Sequence, residues 1–395
     1  MATLPDLPLD WQEELYKKLH AQPELSMEES ETAAEVTRRL DEMGYQTQQI
    51  GGGVVGVLTN GDGPTVLARA DMDALPVQED SGLDYASTVD GVMHACGHDF
   101  HVTCALGAAQ AMTEIRDQWQ GTYIALFQPG EETAAGARAM VDDGLVDKIP
   151  KPDVCLSQHV LPELAGTVMT APGAVLSAGD SIKVTVPGKG SHGSMPHLGV
   201  DPVVTAASIV VRLQSIVSRV IAPGDFGVVT VGSIQAGAKS NIIPDSATLL
   251  LNVRTYDESV REKILEAIER IVRGECQASG ATDEPTFEYY DRFPLTENDE
   301  ATNTTVTDAL REHFGDDKVT ELAPVPASED FSVIPDAFGV PYCYWGVGGF
   351  EEGATPVGNH NPKFAPTIHP TLETGTAALA SAALAWLGSR EGEGR

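Results

Sequence analysis

The segment MHACGHDFH contains the densest group of metal-binding residue types in the chain. These residues are His94, Cys96, His98, Asp99 and His101. Imidazole rings and a thiol are costly to bury unless something pairs with them, and a divalent metal ion does so well. An isolated histidine is more often a packed core residue, but a cluster of this density favours a metal site.

Two adjacent carboxylates, Glu131 and Glu132, follow the apolar run TYIALFQP and the turn residues Pro129 and Gly130. Neighbouring like charges repel each other, and a bound cation removes that repulsion. One carboxylate can then bind the metal while the other takes a proton from water. The alternative is a solvated loop with two surface acids, which also agrees with the Pro-Gly turn.

Most residues that can bind a cation lie in five short segments. They are ARADMDALP, MHACGHDFH, FQPGEE, SQHV and GNHNPKF. Four of the five stand at predicted strand ends or in the loops that follow them. Ligands bind at the carboxyl ends of the strands in an open α/β sheet, so we expect these segments to converge there.

Hydrophobic periodicity predicts the elements that position these segments. Helices are predicted at 11–20 and 31–43, then strands at 54–59, 66–71, 122–127 and 153–159, with helices near 98–116 and 133–143. This alternation indicates an α/β sandwich with a largely parallel sheet.

The pattern changes near Ala178. The elements that follow are a strand at 181–186, a helix at 201–221, strands at 226–234 and 247–256, a helix at 258–276 and a strand at 286–291. This βαββαβ order predicts a ferredoxin-like domain at residues 179–291. We expect it to be inserted into a catalytic domain formed by residues 1–178 and 292–395, whose last elements are a helix at 299–314, a strand at 342–346 and a helix at 371–387.

Composition excludes several classes of partner. The chain has 395 residues, and 25 Lys and Arg against 58 Asp and Glu give a net charge of −33. Such a charge repels nucleic acids and anionic membranes. The N-terminal sequence has no signal-peptide pattern and no apolar run of about 18 residues occurs, so we expect a cytoplasmic protein. The five cysteines are odd in number and widely spaced, which predicts free thiols.

Taken together, the motifs resemble the amidohydrolase and aminoacylase family of hippurate hydrolase, the plant auxin-conjugate hydrolases and bacterial N-acyl-amino-acid deacylases. The shared motifs are RADMDALP, MHACGHDxH, FQPxEE, GxGxHGxxPH, NxIPD, SEDF and HNPKF, and they span nearly the whole chain in family order. Within the family, PGEE and GARAMVDDGL are most similar to the bacterial N-α-acyl-glutamine aminoacylase group. The resemblance implies a metallopeptidase-like α/β/α catalytic domain and a lid or dimerisation domain.

The resemblance also implies a site for two divalent metal ions. In this pattern Cys96 bridges the ions, Glu132 and His360 complete one of them, and His98 and His159 complete the other. Glu131 is then the general base.

Two aspartates of the ARADMDALP segment differ in what the resemblance implies for them. Asp73 would orient a metal-binding imidazole. Asp71 stands where another branch of the family has a metal-binding histidine, and it receives no role.

The resemblance assigns substrate contacts to the smaller domain. His192, Asn241 and Arg254 would hold the carbonyl oxygen or the carboxylate of the substrate. Relatives pair through this domain, which predicts a homodimer in which His192 acts in the partner's active site. Gly130 replaces an alanine of many deacylases, and this affects the acyl-group preference.

These features predict that the substrate is a small molecule, an N-acyl-amino acid. Its hydrolysis gives a carboxylic acid and a free amino acid. Zinc suits the sulfur, nitrogen and oxygen ligands, and manganese, cobalt and nickel are compatible with them. A dipeptidase or carboxypeptidase would use the same site. A metal-free cysteine hydrolase built on Cys96 and a histidine is an alternative from a different class. A metal-binding module without turnover is a third, which the presence of Glu131 disfavours.

Overall fold

The computed structural model describes residues 4–5 and 10–388, which form two compact units. The first unit contains the described chain up to Val175, then Glu297–Ala323 and the chain from Asp330 onward. The second contains Leu176–Thr296 and Pro324–Glu329. The division into a catalytic domain (residues 1–178 and 292–395) and a lid domain (179–291) stays a prediction.

The helices are α1 (Asp10–Ala21), α2 (Ser30–Glu42), α3 (His98–Glu114), α4 (Gly136–Asp142), α5 (Leu145–Lys148), α6 (Pro202–Leu213), α7 (Ser215–Arg219), α8 (Glu258–Ala278), α9 (Glu300–Phe314), α10 (Val333–Phe338) and α11 (Thr371–Leu387). In the part of the chain that the structure describes, none of them has both the length and the hydropathy that a bilayer crossing requires.

The strands are β1 (Gln46–Ile50), β2 (Gly53–Asn60), β3 (Thr65–Asp71), β4 (Gly121–Gln128), β5 (Val154–Leu164), β6 (Val168–Thr170), β7 (Gly173–Leu176), β8 (Ala178–Pro187), β9 (Ser191–His192), β10 (Gly227–Ala236), β11 (Ile242–Ile243), β12 (Ser246–Thr255), β13 (Thr286–Phe293), β14 (Thr296–Asn298), β15 (Val319–Glu321) and β16 (Tyr342–Phe350).

The first unit is built on an eight-stranded sheet with the order β1-β2-β4-β3-β5-β16-β6-β15. The four neighbouring strands β4, β3, β5 and β16 are parallel to one another. The pairs β1–β2, β2–β4 and β16–β6 are antiparallel. Strand β15 also pairs with β6 in parallel, so four of the seven neighbouring pairs in the described sheet are parallel and three are antiparallel. The expectation of a largely parallel sheet holds for its centre, and the antiparallel pairs depart from it. One reason is local, because Gly51 and Gly52 join β1 to β2 in a two-residue turn, and such a turn permits only antiparallel pairing.

Both faces of the central strands are buried, as a parallel sheet covered by helices requires. On β3, Val66, Ala68 and Ala70 pack in one core with residues of α3 and α11. Leu67 and Arg69 alternate with them and are also buried. The expected α/β architecture is confirmed.

Two strands end inside predicted site segments, β3 at Asp71 in ARADMDALP and β4 at Gln128 in FQPGEE. His159 differs, because it lies inside β5 and not after it. The pairing of β5 with β3 stops at Ser157, whereas its pairing with β16 continues to Leu164. The unpaired side of β5 is therefore open at His159, and the expectation that this strand ends at His159 was wrong.

The second unit has the element order β8, α6, β10, β12, α8 and β13. Its antiparallel sheet has the order β10-β12-β8-β13, and its apolar core is formed by this sheet with α6, α7 and α8. The single helix expected at residues 201–221 is divided into α6 and the short α7. At the start of α6, the Asp201 side chain accepts the backbone N–H of Val203, which is the usual N-cap arrangement.

The turn between β1 and β2 provides a test of the packing. Gly51 lies in this turn, and Gly61, which directly follows β2, serves as the control. Their φ angles are 56° and 79°, so an alanine at either position costs about 1 kcal/mol in backbone strain. A Cβ at Gly51 would lie 2.4 Å from the carbonyl oxygen of Ala139, whereas a Cβ at Gly61 meets no atom within 4 Å. We expect Gly51→Ala to cost a further ~1–3 kcal/mol of stability. Thermal denaturation should show a larger loss for Gly51→Ala than for Gly61→Ala, and equal losses would contradict this account of the turn.

Candidate metal centre

Five side chains that the sequence predicts as metal ligands lie together in the first unit. The donor atoms of Cys96, His98 and His159 all lie within 4.8 Å of one another, and so do those of Cys96, Glu132 and His360. The thiol belongs to both groups, and its Sγ is 3.4 Å from Nε2 of each of His159 and His360. Two donor groups that share one sulfur form the arrangement that two neighbouring cations require.

The donor set also fits metal ions because two of its buried atoms lack a hydrogen bond within the described chain, although Oε1 of Glu132 lies 3.3 Å from Nε2 of His360. Nε2 of His98 and Oε1 of Glu132 are buried, and they accept or donate no hydrogen bond among the residues that the structure describes. Buried polar atoms are nearly always hydrogen-bonded. A cation between these atoms would satisfy both, and a site with sulfur, imidazole and carboxylate donors suits a borderline divalent ion.

Asp73 holds two parts of the site in place. Its Oδ1 lies 3.1 Å from Nδ1 of His98, and its Oδ2 accepts the backbone N–H of Glu132 at 3.0 Å and the hydroxyl of Ser26 at 2.7 Å. The bond to Asp73 occupies Nδ1 of His98 and leaves Nε2 as the donor atom for a metal. This contact agrees with the orienting role expected for Asp73.

His159 is oriented by a series of hydrogen bonds that starts at Asp71. His101 places its Nδ1 2.5 Å from Oδ1 of Asp71, and its Nε2 accepts the backbone N–H of Val160 at 2.9 Å. The carbonyl oxygen of Val160 is 2.7 Å from Nδ1 of His159. Asp71 and His101 therefore hold the part of β5 that directs Nε2 of His159 towards Cys96.

Asp71 is held by a buried cation. Nη1 of Arg69 lies 2.6 Å from Oδ2 of Asp71, and both side chains are fully buried. Burial disfavours the charged carboxylate, but His98, Arg69 and His101 outweigh burial and hold the pKa of Asp71 well below its usual range. The residue that received no role from the sequence is thus the anion that fixes His101.

The protonation of the metal-free site reflects its crowded charges. Burial raises the pKa of the Cys96 thiol. The close contacts with Cys96 and Glu132 raise the pKa of His360 to about 10. Because metal binding requires a thiolate and a neutral imidazole, a cation entering this site has to displace protons.

Glu131 and His360 are placed by turns. Glu131 begins the short 3-10 turn Glu131–Thr133 and is buried, and one of its oxygens lies within 4.8 Å of donor atoms of His98 and Glu132. His360 has a φ of 65°, and its N–H donates to the carbonyl oxygen of Ala95 at 2.7 Å. Both side chains therefore reach the site from loops, and their roles stay predictions.

Other residues of MHACGHDFH have different surroundings. His94 is buried, and neither ring nitrogen has a hydrogen-bond partner among the described residues. The carboxylate of Asp99 lies 2.7 Å from Nδ1 of His20. Neither His94 nor Asp99 belongs to a donor group found in the described chain. Of this segment, Cys96 and His98 belong to the two donor groups, and His101 supports His159.

The predicted substrate-binding residues lie in the second unit. His192 is on β9, which pairs with β11, and its Nδ1 accepts the backbone N–H of Ser194 at 3.1 Å. Asn241 is exposed and directly precedes β11. Arg254 is on β12, where its Nε donates to Oδ1 of Asn252 at 3.0 Å and its Nη1 donates to Oγ of Ser328.

The sequence pattern does not single out Ser26, gives Asp71 no role, and marks His101 only as a member of the MHACGHDFH cluster. Ser26 lies in the connection between α1 and α2, about fifty residues from the aspartate that it contacts. A polar residue between two helices carries no signal of such a contact, because only the folded chain brings the two segments together.

The model of Peptidase family M20/M25/M40 matches residues 67–385. The chain belongs to this family. The resemblance to hydrolytic, metal-dependent amidohydrolases is therefore confirmed at the level of the family.

Similar proteins include enzymes with different substrates. The chain is 37% identical to N-acetyl-L-cysteine deacetylase of Bacillus subtilis, over 88% of this chain and 82% of that protein. It is 36% identical to thermostable carboxypeptidase 2 of Saccharolobus solfataricus, over 90% of each chain. A solved dinuclear metal-binding M20 peptidase of Bacillus subtilis superposes with a TM-score of 0.78 at 29% identity, over 95% of this chain and 97% of that one. The metallopeptidase-like fold is confirmed by this likeness.

The hydrogen bonds of Asp71 predict that it stabilises the protein even without metal. Asp71→Asn should lower the melting temperature of chelator-treated protein, because Arg69 loses one buried carboxylate neighbour and keeps Asp330, a change worth ~1–3 kcal/mol. Cys96→Ser is the matched control, since it alters a metal donor with little change in volume. We expect Cys96→Ser to lose metal in elemental analysis and to keep the metal-free melting temperature. Equal losses of metal-free stability in both variants would contradict the separation of the two roles.

Proposed function

We propose that the protein hydrolyses the amide bond of N-acyl-amino acids at a site with two divalent metal ions. The products are a carboxylic acid and a free amino acid. The observation that carries this proposal is the pair of donor groups that share Cys96, with the buried carboxylate of Glu131 beside them. Membership of a hydrolase family supports it further.

In this proposal the site residues have two roles, metal binding and proton transfer. Cys96, Glu132 and His360 hold one cation, and Cys96, His98 and His159 hold the other. When bound, the ions polarise the substrate carbonyl and make water a better nucleophile. Glu131 accepts a proton from the attacking water as the C–O bond forms. It then delivers that proton to the leaving nitrogen as the C–N bond breaks.

Zinc is the metal that we propose for both positions, because a thiolate and imidazoles are among its preferred ligands. Manganese, cobalt and nickel remain compatible with the same donors. The cytoplasmic location expected from the sequence stays a prediction.

Arg254 supports a substrate with a free carboxylate. It is bonded to the neutral oxygens of Asn252 and Ser328 and forms no salt bridge within the described residues. Partial burial lowers its pKa. In a chain with a net charge of −33, an arginine without a carboxylate partner is available for the carboxylate of an amino acid, which it can bind in bidentate fashion. We assign His192 and Asn241 to the carbonyl oxygen of the scissile amide.

The second candidate is a carboxypeptidase or dipeptidase with the same residues. The similarity to the carboxypeptidase of Saccharolobus solfataricus supports this second function. The chemistry is the same, since a peptide differs only in the size of its acyl part. Turnover of N-acetyl and N-benzoyl amino acids against dipeptides separates the two. The metal-free cysteine hydrolase is disfavoured because burial raises the pKa of Cys96 and so opposes formation of its thiolate.

We also propose a homodimer that forms through the second unit. Strand β10 is at an edge of its sheet and packs beside α6. Apolar side chains are exposed on both elements, and Val204 and Val211 of α6 are 62% and 75% exposed. An open edge strand beside exposed apolar residues is a natural surface for a second copy of the chain.

Glu131→Gln and Glu132→Gln should differ in metal content. We expect Glu131→Gln to lose about 10²–10⁴-fold in kcat and to keep its metal, because the lost carboxylate moves protons. Glu132→Gln should lose bound metal together with activity. Elemental analysis and kinetics of the purified variants measure both effects. If both variants kept their metal and lost equal activity, the proposed division between the two carboxylates would be wrong.

Mixing two inactive variants tests whether His192 acts in the partner's site. Glu131→Gln protein and His192→Ala protein each have no working site alone. If His192 acts in trans, heterodimers contain one site with both residues intact, and activity should reappear after subunit exchange. Exchange is verified independently by the mass of a tagged heterodimer. Complete exchange without recovered activity would reject the trans arrangement.

A further inference from the structure

Glu29 is a buried carboxylate whose surroundings lack a cation. It is 4% exposed, and within the described residues it forms no salt bridge. Burial raises the pKa of Glu29 to about 7, while the backbone N–H groups of Gly130 and Met27 oppose this shift. Burying an unpaired carboxyl group lowers the stability of the folded protein, and such groups are found most often at functional sites.

The position of Glu29 at the start of α2 does not explain its burial. Glu29 is the N-cap residue of α2, but its side chain accepts no hydrogen bond from that helix. Glu24 does this instead, because its two carboxylate oxygens accept the backbone N–H groups of Glu31 and Thr32 at 3.0 and 2.8 Å. The helix start is thus satisfied without Glu29.

The carboxylate of Glu29 points to the turn that carries the predicted base. Its Oε1 accepts the backbone N–H of Gly130 at 2.7 Å and that of Met27 at 3.0 Å. Gly130 directly precedes Glu131, and its carbonyl oxygen accepts the N–H of Gly136 at 3.1 Å. Both polar groups of the Gly130 backbone are therefore bonded, one of them by a residue about a hundred positions earlier.

The turn is held at a second point by Asp73, which is itself bonded to the connection between α1 and α2. Ser26 donates to Asp73 at 2.7 Å, and Asp73 accepts the N–H of Glu132 at 3.0 Å. Glu131 therefore lies between two residues whose N–H groups are bound by Glu29 and Asp73. There is no space for a side chain at Gly130 either, since a Cβ there would lie 2.5 Å from Sδ of Met27.

We propose that Glu29 is a positioning residue that fixes the direction of the Glu131 carboxylate by binding the N–H of Gly130. The proposal rests on the proposed role of Glu131 as general base. A general base has to lie within hydrogen-bonding distance of the proton that it takes, and a displacement of about 1 Å costs roughly 10²-fold in rate. Glu29 acts on this distance and touches neither substrate nor metal.

Three substitutions separate position from charge and from stability. Glu29→Gln keeps an oxygen at the length required for both N–H bonds and removes the charge. Glu29→Asp keeps the charge but withdraws the oxygens by one methylene, so that the bond to Gly130 is lost. Glu24→Ala is the matched control in the same connection, since it removes a helix cap worth about 1 kcal/mol and leaves Glu29 in place.

We expect Glu29→Asp to lower kcat by about 10–100-fold, with KM within about threefold and metal content unchanged, and Glu29→Gln to keep most of kcat. Glu24→Ala should lower the melting temperature and keep kcat. The substrate for all four proteins is the N-acetyl-amino acid that the wild-type protein cleaves fastest. An active Glu29→Asp with an inactive Glu29→Gln would overturn the proposal, as would a loss of kcat in Glu24→Ala equal to that in Glu29→Asp.

Hydrogen exchange of the metal-loaded protein without substrate provides a measurement that does not depend on turnover. Amides of residues 130–133 should exchange faster in Glu29→Asp than in the wild type and in Glu29→Gln. Unchanged exchange in Glu29→Asp would overturn the proposal. A fully active Glu131→Gln would instead refute the proposed function, whatever the exchange of this turn shows.

Discussion

The structure of the first unit depends on the cost of burying polar donor atoms without partners. Nε2 of His98 and Oε1 of Glu132 have no hydrogen bond among the described residues, and they lie beside a thiol that is close to two more imidazoles. In a protein core such an arrangement is unfavourable by several kcal/mol unless cations complete it. The donor atoms remain close because the surrounding sheet and helices are packed tightly enough to hold them there.

Two of the donor residues, His98 and His159, are held by residues from other parts of the chain. Asp73 orients His98, and the Arg69–Asp71 pair acts through His101 and the backbone of Val160 on His159. These supports are themselves buried, so water does not weaken their charges. Rigid placement of both the donors and the base is what the chemistry of amide hydrolysis needs, because the reacting atoms have to meet within a few tenths of an ångström.

The second unit has its own apolar core and a different surface. Its sheet is covered by helices, while the edge strand β10 and the outward side of α6 expose apolar residues. It also contains Arg254, which is bonded to the neutral side-chain oxygens of Asn252 and Ser328. A self-contained unit of this kind can change its exposed residues without disturbing the donor atoms of the first unit, because each unit buries its own core.

The elements that could be predicted from the sequence are those set by interactions between residues close together in the chain. The helices α1, α2, α8 and α11 and the strands β3, β4 and β12 follow from the spacing of apolar residues, and they agree with the structure within a few residues. The edge strand β1 was missed, because its residues QTQQI are mostly polar. The extension of β5 beyond His159 was missed because it depends on pairing with β16, which is almost two hundred residues away.

The sequence by itself determined the chemical types at the site, because metal donors and adjacent carboxylates are recognisable from their side chains and spacing. The choice of Cys96, His98, Glu132, His159 and His360 as the ligands, and of Glu131 as the base, came from the resemblance of the motifs to a known family. Only the tertiary structure decided what holds these residues in place. The parts played by Asp71, His101 and Glu29 arise from hydrogen bonds between segments far apart in sequence, and a contact that exists only after the chain has folded leaves no periodic or compositional trace.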